Sequence, residues 1–148
     1  MGFTLIELLV VIAIISILAS LLLANFVGVR QRGRDAQRKS DVRQIQSALE
    51  MYRADNGNYP VALPSCGSAF TSGSSTYMSK VPCDPLALSG YTYASQTGCD
   101  NVATACNQYS IIACLENPND SQKDTPTPKS VCTAVPTNTG VSFTVNNP

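Results

Sequence analysis

Glu7 is the residue whose setting most demands chemistry. It sits near the start of an apolar run that begins at Gly2 and meets no other charge before Arg30. A carboxylate in such surroundings must stay hydrated, take up a proton or meet a cation, because an unpaired buried charge is costly. Two other groups could do chemistry. Six cysteines (66, 83, 99, 106, 114 and 132) all follow residue 60, in a Gly/Ser/Thr-rich context that fits a disulfide framework formed outside a reducing cytoplasm. Asn117, Asn119, Asp120 and Asp124 offer oxygen ligands within one loop, as a calcium ion would need, although their spacing matches no EF-hand.

Other chemistry is excluded by composition. The chain has no histidine, so Ser/His/Asp and Cys/His catalytic sites and Cys/His zinc sites cannot be built. No motif points to other acid–base or nucleophilic catalysis, and neither an enzyme nor a cofactor is expected. A solvated polar loop is the expected state of 117–124, with no metal.

Formal net charge is zero at pH 7, but the charge is unevenly placed. Residues 30–43 carry Arg30, Arg32, Arg34, Arg38, Lys39 and Arg43 against Asp35 and Asp41, a local net of +4. From residue 54 onward three lysines face six acids. A basic run of this kind can touch nucleic-acid phosphate. Pairing with acids of neighbouring subunits, or with anionic lipid headgroups, is the stronger expectation, and nucleic acid is not expected as a main partner.

These groups need elements to position them. Residues 3–29 are apolar on every side, and such a run is long enough to span a bilayer core of about 30 Å with some tilt. A transmembrane helix is therefore expected there. In the next segment Val42, Ile45, Leu49 and Tyr52 recur at helical spacing with Ala48 on the same face, giving the apolar stripe of an amphipathic helix over 30–55. No proline interrupts residues 3–55, so one continuous helix of roughly 80 Å is the economical reading. Gly28 and Gly33 are its weak points, and any unwinding would fall between Ala24 and Gly33. Asn56, Gly57 and Pro60 end it.

Residues 56–90 read as a loop region, with a helical turn possible around Thr76–Lys80. Strand signals follow at Gly90–Ala94, Tyr109–Glu116 and Val141–Val145, separated by exposed loop at Asn117–Lys129. The expected fold class is α+β: a long N-terminal helix with its apolar half protruding, and a small antiparallel sheet packed on the 42/45/49/52 stripe. Residues 91–148 would form the sheet and a disulfide-bonded C-terminal region, and 30–148 one globular head. Cysteine connectivity is open from spacing alone. Joining neighbours in sequence pairs Cys66–Cys83, Cys99–Cys106 and Cys114–Cys132.

The run from Gly2-Phe3-Thr4-Leu5-Ile6-Glu7 to Val11-Ile12-Ala13-Ile14-Ile15 closely resembles the N-terminal signature of bacterial type IV pilins and type II secretion pseudopilins. The resemblance continues through Gln44–Tyr59, is weaker at Val81–Pro85 and Gly90–Tyr93, and fades after residue 116. It implies that Met1-Gly2 is a leader remnant, cut after Gly2 by a prepilin peptidase, and that Phe3 becomes an N-methylated first residue. It implies that Glu7 serves methylation and subunit docking. The physics agrees. Cleavage before Phe3 would create an α-amine with a reference pKa of about 7.7–8, and this amine can neutralise Glu7 of a neighbouring subunit in an apolar bundle.

The resemblance further implies a homo-oligomeric helical filament handled by pilus assembly machinery. The subunit would be stored as a single-pass protein of the bacterial inner membrane and then assembled at the cell surface. A major pilin of an extracellular type IV pilus is the first expectation. A pseudopilin of a type II secretion system and a DNA-binding competence pilin are the alternatives. Some pseudopilins bind calcium in a loop comparable to 117–124. The chain departs from the family pattern in lacking Lys or Arg before Gly2 and in carrying Ala24 where many pilins have proline. The basic run at 30–43 also opposes the positive-inside rule.

Overall fold

A computed structural model describes residues 2–125, 130–132 and 141–147. Met1 of the expected leader remnant, and 126–129, 133–140 and 148 of the expected C-terminal region, lie outside the described residues. Helix α1 runs unbroken over Leu5–Asn56, 52 residues, so its backbone is helical through Ala24–Gly33 as well. Thr4 caps its N-terminus. At the other end Gly57 takes the left-handed conformation (φ 80°) and its N–H donates to the Arg53 carbonyl at 2.7 Å, where a side chain would be strained.

The two halves of α1 have different surroundings. Phe3, Leu5, Ile6 and the apolar side chains through Leu18 are exposed, whereas Val42, Ile45, Ala48 and Leu49 are fully buried. The second half is thus the part of α1 that packs into the head. Among the described residues no helix is long and apolar enough to cross a membrane. The structure by itself therefore does not make 3–29 a transmembrane span.

Residues 56–90 differ from expectation. They contain a hairpin, β1 (Phe70–Ser72) and β2 (Ser75–Met78), where a loop with a helical turn near Thr76 was expected. Gly73, at φ 57°, makes the tight reversal, and the aromatic side chains decide the conformation. Phe70 stacks on Tyr52 of α1 at 5.3 Å, and Tyr77 meets the same ring edge-on at 5.3 Å. An extended backbone lets both rings reach Tyr52.

The main sheet is antiparallel, in the order β3 (Thr92–Ser95), β4 (Tyr109–Leu115), β5 (Val141–Asn146). Central strand β4 alternates strictly: Tyr109, Ile111, Ala113 and Leu115 are buried against α1, and the residues between them face outward. Register pairs Tyr93 with Ile111 and Ile111 with Val145, so one apolar face of three strands covers the α1 stripe. Burying side chains such as Ile45 or Leu49 contributes about 1.5–3 kcal/mol each. The α+β architecture is the expected one. Disulfides join Cys66–Cys83, Cys99–Cys106 and Cys114–Cys132. Closing loops of this size stabilises a head by roughly 2–4 kcal/mol per bridge.

Candidate assembly site

The first turn of α1 holds Glu7 against Thr4. The Thr4 backbone N–H donates to Glu7 Oε2 at 2.9 Å, the Thr4 hydroxyl donates to the same oxygen at 2.8 Å, and the Glu7 N–H donates to Thr4 Oγ1 at 3.3 Å. This is a capping box, in which two orphan donors of the helix end are satisfied reciprocally. Glu7 is thereby fixed at the positive end of the helix dipole. Around it Phe3, Ile6, Val10 and Val11 form a shallow apolar recess with Glu7 as its one charged member. An acid displayed on an exposed apolar helix is suited to meeting a cation of another molecule.

A second charged assembly lies where α1 enters the head. Arg38 is 3% exposed and grips three carboxylates. Its Nε and Nη2 donate to Asp84 at 2.6 and 3.1 Å, and its Nη1 donates to Asp35 at 2.8 Å and to Glu116 at 2.7 Å. Arg34 adds a fork onto Glu116, with Nε at 2.7 Å. Asp35 in turn accepts the backbone N–H groups of Glu116 and Asn117 at 2.9 and 2.8 Å. Tyr91 donates to Asp41 at 2.7 Å.

The environment moves these acids in different directions. The Arg34 guanidinium lowers the Glu116 carboxyl, outweighing its burial, with Arg38 adding to the effect. For Asp84, burial acts upward, but Arg38 and the N–H groups of Ala87 and Leu86 overcome it and leave the carboxyl lowered. Asp41 goes the other way: burial raises it, only partly offset by the Tyr91 hydroxyl.

These pairs correct the expectation for the basic run. Arg34, Arg38 and Lys39 pair with acids of the chain itself, not of neighbouring subunits, because folding brings Asp84, Glu116 and Asp120 to the base of α1. Arg30, Arg32 and Arg43 stay exposed, with no carboxylate at ion-pair distance among the described residues. Three of the six cations that a nucleic-acid reading of the run would use, Arg34, Arg38 and Lys39, are therefore already engaged. The acids that complete this network carry no local sequence signal, since they are 46 to 82 residues from their partners.

The loop oxygens do not converge. Asp120 accepts the Lys39 ammonium at 2.8 Å, and Asp124 accepts the hydroxyls of Ser142 and Thr144 at 2.6 Å each. Asn117 Oδ1 accepts the Asn119 N–H at 3.1 Å. Among the described residues no group of metal-ligating side chains could hold an ion. A donor set already carrying an ammonium does not fit calcium.

Residues 2–23 match the prokaryotic N-terminal methylation motif, and residues 25–105 match type II secretion system protein G. The chain is 44% identical over 59 residues to the type II secretion system core proteins G of Pectobacterium carotovorum and of Escherichia coli K12. That alignment covers 40% of this chain and 38% and 41% of those proteins. It is 42% identical over 79 residues to the type IV wide pilus major component of Thermus thermophilus, covering 51% of this chain and 60% of that protein. The chain thus spans about two fifths of the length of the secretion proteins it matches. No solved structure matches. An N-terminal methylation motif leads directly into a matched region that includes the α1 stripe and the head's first disulfide, and the chain belongs to the type II secretion protein G family of type IV pilins and pseudopilins.

Proposed function

We propose that this chain is a structural subunit that polymerises into a helical filament through the apolar half of α1. The observation that carries the reading is the contrast along one helix: a fully buried stripe at 42–49 and apolar side chains at 3–18 that are about half exposed or more. Monomeric soluble proteins rarely display apolar surface on this scale, and such surface marks a contact with lipid or protein. Residues 3–29 would lie in the inner membrane during storage and become the filament core on assembly. Cleavage after Gly2 would free the Phe3 amine for methylation and for pairing with Glu7 of the adjacent copy. Each copy would contact the next through different surfaces, so the assembly extends without closing.

The family match and the secretion relatives favour a type II secretion pseudopilus as the filament. A major subunit of a surface pilus is the second reading, favoured by the longer alignment to the wide-pilus component. Electron microscopy of sheared surface material, with mass spectrometry of the subunit N-terminus, tests both. Fibres containing a chain that begins at methylated Phe3 support the proposal. Absence of any fibre, in shear or on overexpression, contradicts it. Deletion then separates the two readings: loss of protein secretion marks the pseudopilus, and loss of surface fibres with secretion intact marks the pilus.

A further inference from the structure

We infer that Arg30 and Arg32 form a collar that binds anionic phospholipid headgroups where α1 leaves the bilayer. The inference rests on the proposed membrane storage of residues 3–29. The exposed arginines divide by position. Arg43 stands on the head, whereas Arg30 and Arg32 directly follow the apolar run. The next three cations, Arg34, Arg38 and Lys39, are neutralised by Glu116, Asp84, Asp35 and Asp120. Among the described residues, folding of the head thus leaves Arg30 and Arg32 as free cations at one level of the helix, with Arg43 alone further along it.

The surroundings suit a headgroup. Two residues apart on a helix, the arginines project about 200° from each other, so they reach phosphates on opposite sides of α1. The Arg30 guanidinium lies 5.5 Å from the ring centroid of Phe26, which is itself exposed. An aromatic ring beneath a cation is the pairing that sits at a membrane–water boundary. Among the described residues no acid competes there. Glu7 is 23 residues below Arg30, about 35 Å along the helix, and Asp35 is buried under Arg38 and the N–H groups of Glu116 and Asn117. A cation near an anionic surface gains about fivefold in partitioning, equivalent to about 1 kcal/mol.

The test uses the full chain, diluted from detergent into vesicles of phosphatidylcholine alone or with added phosphatidylglycerol, and reads vesicle-bound protein after flotation. The chain should insert into both, with phosphatidylglycerol raising partitioning about twenty-five-fold at about 0.1 M salt and much less at about 1 M. The R30Q/R32Q variant should insert but lose most of that preference. R43Q should keep it, since Arg43 is about 20 Å further along the helix, beyond the roughly 10 Å screening length at 0.1 M salt. Intact disulfides and an unchanged melting temperature verify the head in each variant. Equal partitioning into both vesicle types, or equal loss in R43Q, overturns the collar while leaving the membrane reading standing. Failure to insert into either vesicle overturns both.

Discussion

Arg38 and Glu116 meet at 2.7 Å across 78 residues of sequence, both almost completely buried, and so fasten the base of the long helix to the end of the central strand. Asp35 and Asp84 complete the contact from the helix and from the disulfide-bounded loop. Removing one member of a buried ion network leaves the others unpaired, which is worse than never having buried them. Arg38→Met should therefore destabilise the head by about 3–5 kcal/mol, read as a lower denaturation midpoint of the full chain in detergent. A loss well under 1 kcal/mol would show that water reaches the network.

The same network predicts the response to acid. Glu116 and Asp84 have folded pKa values below their unfolded values of about 4.3 and 3.9, so they contribute stability that is present above those values. That stability is lost as pH falls through the lowered folded values. Asp41 has the opposite sign: its raised folded pKa makes protonation favour the fold, and its contribution fades as pH rises through that value. Melting temperature measured against pH should fall below about pH 4, and the fall should be shallower in Glu116→Gln. An identical acid limb in wild type and variant would remove Glu116 from the account.

Thr4 and Glu7 share the capping box, which makes their roles separable. Thr4→Ala removes the N-cap acceptor and should fray the first turn, at about 1 kcal/mol of helix stability. Glu7 keeps its charge in that variant, so filament yield in a shear assay should drop without vanishing. Complete loss in Thr4→Ala, equal to that of a Glu7 variant, would mean that the cap itself is the docking element.

Calcium provides a further check. Asp120 is held by the Lys39 ammonium and Asp124 by Ser142 and Thr144. The melting temperature of the head should therefore be the same in calcium and in a chelator. A ligand that binds only the folded state raises stability with concentration, so a calcium-dependent rise would show that these side chains rearrange around the ion.

Much of the architecture is readable along the chain because it depends on local periodicity. The 42/45/49/52 spacing defines the buried face of α1. Asn56-Gly57 ends the helix, and the short run of aromatic, β-branched and apolar residues at Tyr109–Leu115 marks the central strand. The β1–β2 hairpin was not readable, because strands this short show no convincing period and are set by contact of Phe70 and Tyr77 with a helix residue about twenty positions earlier. The ion network failed for the same reason on a larger scale. Local charge density around residues 30–43 pointed outward to other molecules, whereas Asp84, Glu116 and Asp120 arrive only through the fold. Glu7 was conspicuous because an acid in an apolar run is anomalous wherever the chain goes. Its engagement with Thr4 became visible only in the structure.

Charge reversal at Glu7 tests the central proposal most directly. In a strain expressing Glu7→Lys in place of the natural subunit, electron microscopy of sheared material should find no filaments. The head should nevertheless keep its three disulfides and its melting temperature, since among the described residues the Glu7 carboxylate hydrogen-bonds only with Thr4, outside the head. Filaments of normal abundance and form in that strain would contradict the proposal that Glu7 docks each subunit onto the next.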